Sequence, residues 1–309
     1  GPDMYDTGTV FRLTESGGTW DATVMHAFPP PETGGQFPFG TDPWTGLTLG
    51  QDGNFYGTAA GGTVGNGLIF QVTPTGGADQ YYSDMAFDVS ANIWCVVYEE
   101  LFSANDHDVY TVFLSVTGFV AVGTLASIDY TSDSWGRPCI ANNNLANNFM
   151  VAAVVYPPPG TSSSIKVCTR DALSVGVGAQ VEVSGTDFGL KVYCDIGGDP
   201  ATLGPSYYFV VWNRIYSPTD SDIHGRLVSS NGTPLGSGVT YIENSGSTID
   251  AVPRVSNSDG LPPDADQEWN VVWMRSLPGG SSDIYGAQVH WDGLISTPAF
   301  PIDNTFNND

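Results

Sequence analysis

Five charged residues stand near the beginnings of repeated strands and could carry out chemistry. They are Asp88, Arg137, Asp195, Asp250 and Arg254. Two carboxyl groups about 5 to 10 Å apart can hydrolyse a glycosidic bond, and an arginine beside them can clamp a substrate carboxylate. The competing interpretation gives these side chains structural roles, in turn capping and in ion pairs between repeats. We favour the structural interpretation and keep catalysis by these five residues as the alternative.

Closely spaced aspartates precede two of the repeated strands, as Asp106 with Asp108 and Asp220 with Asp222. Because Ca²⁺ takes about six to eight oxygen ligands, each pair could contribute to a calcium site. An aspartate at this point can instead accept bonds from turn amides, and the copy that carries Ser164 at the same place agrees with that local role. We therefore expect no cofactor, with Ca²⁺ at these aspartates as the alternative.

The tryptophans divide into a regular and an irregular group. Trp94, Trp212 and Trp273 occupy the central strand of their repeats, which predicts packing between successive sheets. The irregular ones are better candidates for stacking on sugar rings, namely Trp20, Trp44, Trp135, Trp269 and Trp291. The predicted ligand-binding residues are Trp135, Arg137 and Arg254.

Other reactive residue types match no catalytic or metal motif. The histidines, His26, His107, His224 and His290, have no serine or cysteine partner at a recognisable spacing, and a Gly-x-Ser-x-Gly elbow is absent. The cysteines lack Cys-x-x-Cys spacing, which argues against zinc. They are Cys95, Cys139, Cys168 and Cys194. Four cysteines allow two disulfides in any of three connectivities, or four buried thiols, and the sequence leaves these alternatives open.

Self-similarity along the chain predicts the architecture. The segment 208–214 followed by Asp222 is echoed by 269–275 followed by Asp283, and both copies place tryptophan ten residues before aspartate. Four copies share this frame, with anchors at 98, 154, 212 and 273 that lie 56, 58 and 61 residues apart. Short runs of Val, Ile, Tyr and Trp between Asn-Gly or Asp-Gly turns predict four antiparallel strands in each copy.

A single four-stranded sheet leaves its faces poorly buried, and stacking such sheets around an axis covers both faces. The sequence therefore predicts an all-β chain that forms a β-propeller of four-stranded antiparallel blades, five or six in number. We expect one propeller domain over 8–303, with residues 1–7 as a tag remnant and lead-in and 304–309 as a tail. The predicted repeats lie near 8–28, 44–82, 84–130, 137–184, 190–243 and 252–303.

Two stretches resemble known repeat families. Gly8-Thr-Val-Phe-Arg-Leu13 and Gly53-Asn-Phe-Tyr-Gly-Thr58 resemble the GloVer-type tandem repeats of secreted bacterial proteins, and this resemblance covers residues 8–77. Phe209-Val-Val-Trp212 followed by Asp222-Ile-His-Gly-Arg226 resembles propeller-type repeats of large exported bacterial proteins, over 84–303. These resemblances imply surface-exposed propellers and fix no activity.

Charge and hydropathy restrict the partners. Nine Lys and Arg against 33 Asp and Glu give a net charge of −24, which repels nucleic acid and anionic membranes. Since no run of about 18 apolar residues occurs, we expect no membrane insertion. We predict an extracellular or cell-surface, non-enzymatic recognition or scaffold module, monomeric within a larger chain, that binds a glycan or a cell-surface protein. The alternative is a glycosidase- or lyase-like enzyme with acids and arginines at the mouth of the central channel.

Overall fold

The structure is a computed structural model with two compact units, residues 1–78 and 79–309. It describes residues 9–16, 19–27, 41–43, 48–49, 55–60, 68–72, 80–103, 106–117, 120–129, 131–158, 162–173, 176–185, 189–200, 206–236, 238–258, 268–277 and 280–303. All regular elements among these residues are strands. The single domain expected over 8–303 stays a prediction.

The first unit holds two antiparallel sheets. In the first sheet, β1 (Thr9–Ser16) pairs with β2 (Thr19–Ala27). The second sheet contains β3 (Thr41–Pro43), β4 (Thr48–Leu49), β5 (Phe55–Ala60) and β6 (Leu68–Val72), in which β5 pairs with the other three strands. Of the tryptophan candidates here, Trp44 lies outside the described residues, and so does the side chain of Trp20.

The second unit holds two four-stranded sheets and one eight-stranded sheet, and a single parallel pairing of Ser221 with Ile249 joins the two four-stranded halves of the latter. The two sheets and the two halves are called blades 1 to 4. Blade 1 contains β7 (Gln80–Asp88), β8 (Ile93–Ser103), β9 (Asp106–Ser115) and β10 (Ala121–Ser127). Blade 2 contains β11 (Ser134–Asn143), β12 (Asn148–Tyr156), β13 (Ser164–Asp171) and β14 (Val181–Glu182). Blade 3 contains β15 (Leu190–Gly197), β16 (Tyr207–Ser217), β17 (Asp220–Ser229) and β18 (Thr240–Glu243). Blade 4 contains β19 (Ile249–Val255), β20 (Glu268–Ser276), β21 (Ser282–His290) and β22 (Ile295–Asp303).

The ten-residue frame of the sequence is the hairpin between the second and third strands of a blade. In blade 3, Arg214 pairs with Asp222, and in blade 4 Arg275 pairs with Asp283. In both blades the hairpin turn lies between the two paired residues. The spacing repeats because the same strand register and nearly the same turn length recur in each blade.

Side chains that alternate along the central strands form the cores between blades. In β12, Phe149 and Val151 pack in the core with blade 1, whereas Met150 and Val154 pack in the core with blade 3. The strand is therefore apolar on both faces, and residues 149–155 are fully buried. Burial of each such side chain contributes about 1.5–3 kcal/mol to folding, so the sheets are stable only when they are stacked.

Two of the three tryptophans predicted to pack between sheets lie in these cores, whereas Trp94 is half-buried and belongs to none of them. Trp212 is buried in the core between blades 2 and 3, and Trp273 in the core between blades 3 and 4. The first strands of successive blades also contact one another, β7 with β11, β11 with β15 and β15 with β19. The predicted class, an all-β propeller of four-stranded antiparallel blades, is confirmed. Within the described residues, no helix is long and apolar enough to cross a membrane.

Close approach between blades makes Gly198 intolerant of a side chain. A Cβ atom at this position would lie 2.0 Å from the backbone oxygen of Asn142 in blade 2. We expect Gly198→Ala to lower the free energy of unfolding by about 1–3 kcal/mol, because the backbones of two blades must separate. The matched control is Gly246→Ala, where a Cβ atom meets nothing within 4 Å. Chemical denaturation measures both variants, and equal stability of the two would contradict the expected clash.

Candidate active site

The first strand of every blade in the second unit contains a β-bulge at the same point. Relative to the second strand, one extra residue lies between Tyr81 and Asp84 in β7 and between Gly136 and Cys139 in β11. The same irregularity occurs between Val192 and Asp195 in β15 and between Ala251 and Arg254 in β19. A bulge bends its strand and redirects the side chains that follow it. Four bulges at one level therefore redirect side chains at the same place in all four blades.

The first residue of each bulge adopts a left-handed backbone conformation. These residues are Tyr82, Arg137, Tyr193 and Val252, with φ between 44° and 54°. This conformation is uncommon for residues other than glycine and is unfavourable for a β-branched residue such as Val252. Strain of this kind persists only where the surrounding structure enforces it, and it clusters at functional sites.

The four bulges line a cavity of about 490 Å³ that is open to solvent. Its walls consist of three consecutive residues from each first strand, namely 82–84, 137–139, 193–195 and 252–254. We call this cavity the bulge pocket. It contains two carboxyl groups, those of Asp84 and Asp195, and two guanidinium groups, those of Arg137 and Arg254.

The Asp195 carboxyl group is held by blade 4. Its Oδ2 atom accepts a hydrogen bond of 2.9 Å from the Val255 amide, and its Oδ1 atom lies 3.7 Å from a guanidinium nitrogen of Arg254. Burial raises the pKa of Asp195 to about 6. The Val255 amide and the Arg254 guanidinium oppose that rise, whereas the charge of Asp84 adds to it. Asp195 can therefore exchange a proton near neutral pH.

Asp84 occupies the equivalent position in blade 1 and is held in the same way. Its Oδ2 atom accepts a hydrogen bond of 2.9 Å from the Ile140 amide of blade 2, and its Oδ1 atom accepts one of 2.8 Å from the Met85 amide. Both carboxyl groups thus bind an amide of the next first strand. The equivalent positions of blades 2 and 4 carry Cys139 and Arg254.

Arg137 lies between two aromatic rings of the pocket. Its guanidinium carbon is 4.2 Å from the centre of the Tyr193 ring and 5.0 Å from that of Tyr82. Its backbone amide donates a hydrogen bond of 2.7 Å to Glu99. Within the part of the chain that the structure describes, no carboxylate lies within ion-pair distance of the Arg137 side chain. Its five N–H donors can therefore serve a ligand.

Three of the five charged candidates meet in the bulge pocket, and two do not. Asp195, Arg137 and Arg254 line it, although Arg137 and Arg254 do not stand at equivalent points, because they occupy the first and third positions of their bulges. Asp88 is fully buried and accepts bonds from the Ser90 hydroxyl at 2.7 Å and the Ala91 amide at 2.8 Å. Asp88 therefore caps a turn rather than facing the pocket.

Asp250 is buried in an ion-pair network away from the pocket. It accepts hydrogen bonds from the Trp273 ring nitrogen at 2.6 Å and from Arg275 at 2.7 and 3.0 Å. Arg275 also bonds to Glu243 at 2.9 Å.

The carboxylates of Asp222, Glu243 and Asp250 each offer an oxygen within 4.8 Å of the others. Burial raises the pKa of Asp222 to about 7, with the neighbouring Glu243 adding to the rise.

Of the four aspartates proposed for Ca²⁺, this three-carboxylate group includes Asp222 only. Asp106 and Asp108 lie at the start of β9 in blade 1, and Asp220 accepts a bond of 3.0 Å from the Ser247 amide. Neither predicted pair forms a group of three potential metal ligands among the described residues. Arg275 supplies a positive charge to the buried acids of blades 3 and 4, so a structural ion-pair role accounts for this group.

Trp135 requires a correction as a ligand-binding candidate. Its side chain is fully buried in the core between blades 1 and 2, and the Lys166 ammonium group lies 5.4 Å from its ring centre. The ring is therefore closed to a ligand on the surface. Trp269 is likewise fully buried, in the core between blades 3 and 4. The aromatic side chains that do face the pocket are Tyr82 and Tyr193.

The sequence holds a signal for the acid that was missed. Tyr82-Ser83-Asp84 and Tyr193-Cys194-Asp195 share a Tyr-x-Asp pattern that lies two repeats apart. This pattern marks the bulge in blades 1 and 3. The repeat frame does not point to it, because the anchors of that frame lie on the second and third strands, whereas the bulges shift the first strands by one residue.

Comparisons with known proteins yield solved structures alone. No protein-family model matches the sequence, and no curated protein matches it. The fold is similar to that of an endo-arabinanase from Bacillus licheniformis, at 13% identity over 73% of this chain and 80% of that chain, with a TM-score of 0.41. It is similar to an α-L-arabinofuranosidase from Lactobacillus brevis, at 9% identity over 84% and 94% of the two chains, with a TM-score of 0.45. A GH93 α-L-arabinofuranosidase of Fusarium graminearum matches at 12% identity over 72% and 66%, with a TM-score of 0.44.

The prediction of a non-enzymatic recognition or scaffold module is wrong. The chain has an open pocket lined by two carboxyl groups and two arginines, and three of these four groups, Asp195, Arg137 and Arg254, belong to the enzymatic alternative. A pure spacer would have no such pocket. The glycosidase-like alternative is therefore the better supported of the two.

The ion pairs of Arg275 and Arg254 should differ sharply in their effect on stability. The Arg275 side chain is 14% exposed and pairs with a fully buried Asp250, whereas that of Arg254 is 66% exposed. Replacing Arg275 with methionine leaves buried carboxylates without a counter-charge, so we expect a loss of about 3–5 kcal/mol of unfolding free energy. Arg254→Met serves as the control and should change stability by less than about 1 kcal/mol. Urea denaturation compares the two, and similar losses would contradict the assignment.

Proposed function

We propose that the chain hydrolyses a glycosidic bond in the bulge pocket, with Asp84 and Asp195 as the two carboxyl groups. The observation that carries this proposal is that equivalent positions of blades 1 and 3 place these two acids in the same open cavity. Glycoside hydrolysis needs two carboxyl groups, one that protonates the leaving oxygen and one that activates water or attacks the sugar.

Asp195 is suited to the role of general acid. Its pKa of about 6 keeps part of the carboxyl group protonated in mildly acidic solution, so it can donate a proton to the leaving oxygen. Asp84 is assigned the second role, as base or nucleophile. Hydrogen bonds from the amides of Met85 and Ile140 fix its position. Each carboxyl group is thus positioned by backbone groups of the fold.

The tyrosines and Arg137 are assigned to substrate binding. Tyr82 is 53% exposed at the pocket, and its ring offers an apolar face on which a sugar can stack. Arg137, held between Tyr82 and Tyr193, offers donors to the oxygen atoms of the sugar. The substrate would therefore lie across the bulges of blades 1 to 3.

The cellular location and the oligomeric state of the protein stay predictions. The resemblance to GloVer-type and other exported repeats motivates an extracellular or cell-surface location, and we propose that the enzyme acts there on a glycan. The expected monomeric state is likewise a proposal. The net charge of −24 suits a solubilising surface on an exported protein.

Removal of either carboxyl group should abolish hydrolysis. We expect Asp84→Asn and Asp195→Asn each to lower kcat by about 10²- to 10⁴-fold, because each removes a proton-transfer or nucleophilic group. Asp133→Asn is the control, because Asp133 pairs with Lys166 outside the pocket. The assay measures sugar release from a panel of aryl glycosides and polysaccharides. Full activity in both pocket variants, or no release by the unsubstituted protein on the whole panel, would overturn the proposal.

The pH dependence of the reaction should report Asp195. A general acid must be protonated, so kcat/KM should fall as the pH rises above about 6, the pKa of this group. Arg254→Met removes a positive charge that lowers this pKa, so the alkaline limb should move to higher pH in that variant. The pH profile of Asp133→Asn should match that of the unsubstituted protein. If the alkaline limb of the kcat/KM profile lies at the same pH in Arg254→Met, the general acid is a group other than Asp195.

A further inference from the structure

Two thiols from neighbouring blades meet in the bulge pocket. The Sγ atoms of Cys139 and Cys194 lie 3.8 Å apart, one on β11 of blade 2 and the other on β15 of blade 3. Both residues line the pocket, and both are close to fully buried, at 4% and 5% exposure. All four cysteines are free thiols in the structure.

We infer that Cys139 and Cys194 are a modification site at which a small disulfide compound, such as oxidised glutathione, forms an inter-blade disulfide. One thiol, as its thiolate, attacks the disulfide compound and forms a mixed disulfide, and one equivalent of the reduced compound leaves. The second thiolate then displaces a second equivalent, and the Cys139–Cys194 bond forms. Two thiols are oxidised, one external disulfide is reduced, and the two protons pass to the leaving thiols.

The surroundings of the two sulfur atoms permit this reaction. A disulfide needs its sulfur atoms about 2.05 Å apart, so the two sulfur atoms must approach each other by roughly 1.8 Å from their present 3.8 Å. The bonds that the thiols now make are weak, to the Ala152 oxygen at 3.5 Å and the Arg137 oxygen at 3.6 Å. Only weak hydrogen bonds are therefore lost when the thiol hydrogens leave, and burial, which raises the pKa of the Cys139 thiol, sets the pace of the reaction.

The other two thiols lie elsewhere. Cys95 and Cys168 pack in the core between blades 1 and 2, and neither lines the pocket. The Cys168 sulfur bonds to the Gly178 oxygen at 3.1 Å. A reagent that enters the open pocket therefore reaches Cys139 and Cys194 first. Of the three connectivities that the sequence allows, the structure favours one cross-link, with Cys95 and Cys168 left as thiols.

The cross-link would act on the same backbone that positions the pocket. Cys139 follows Arg137 by two residues, and Cys194 precedes Asp195. A bond between them closes a loop of 55 residues and fixes blade 2 against blade 3, which restricts the unfolded chain and raises stability. The inference does not depend on glycoside hydrolysis, because it rests on the two sulfur atoms alone.

The test uses the full chain, reduced and then incubated with oxidised glutathione under native conditions. Thiols are counted in denaturant with a chromogenic disulfide reagent, and peptides are mapped without reduction by mass spectrometry. We expect the count to fall from four to two, one peptide pair to be linked through Cys139 and Cys194, and Tm to rise. Retention of four thiols, glutathione adducts at both residues without a cross-link, or a bond to Cys95 or Cys168 would overturn the inference.

Matched variants separate the cross-link from general oxidation. The double variant Cys95→Ser, Cys168→Ser keeps the pocket pair and should form the same bond. In Cys194→Ser, and in Cys139→Ala as a second variant, glutathione treatment should give no internal disulfide and no rise in Tm. An equal rise in Tm in these variants would show that the effect comes from elsewhere and would reject the proposed site.

Discussion

The β-bulge in the first strand of each blade is the constraint on which the site depends. One extra residue, held in a left-handed conformation, redirects three side chains of each strand. Because the bulge recurs at the same level in four blades, it makes a pocket from positions that are far apart in the chain. A regular strand would place alternate side chains in the cores between blades, and no cavity of this composition would form. The backbone strain is tolerated because the cores between neighbouring blades are tightly packed.

The contacts that hold the carboxyl groups also join the blades. Asp84 of blade 1 accepts an amide hydrogen bond from Ile140 of blade 2, and Asp195 of blade 3 accepts one from Val255 of blade 4. Any change in the angle between two blades therefore moves an acid relative to its neighbours. Since the blades are locked by buried apolar side chains, the acids are held in place before a ligand arrives. Such preorganisation is what electrostatic catalysis requires.

The negatively charged carboxylates have different positive partners in the protein interior and in the bulge pocket. Inside, Arg275 pairs with Asp250 and Glu243 in blades 3 and 4, because a buried carboxylate without a partner would be costly. In the bulge pocket, two arginines accompany two aspartates, and Arg137 is held by ring contacts rather than by an acid. In a chain with only nine Lys and Arg, this placement of the positive groups separates structural pairing from ligand recognition.

Residue order alone predicts the repeat, the four strands of each copy, the all-β propeller class and the core position of Trp212 and Trp273. These features follow from local turn chemistry and from the alternation of apolar residues, which a linear pattern contains. It also pointed to Asp195 and the two pocket arginines, but it missed Asp84 and misplaced Asp250.

The stacking of the blades settles which residues share the pocket. A bulge shifts the alternation by one residue, and its position depends on how the first strand packs against its neighbours rather than on the residues of that strand alone. The partners that fix the outcome lie far away in the chain, as Ile140 does for Asp84 and Cys194 for Cys139, at separations of 56 and 55 residues. Contacts at that distance exist only once the blades stack, and so the site is a property of the stacked sheets.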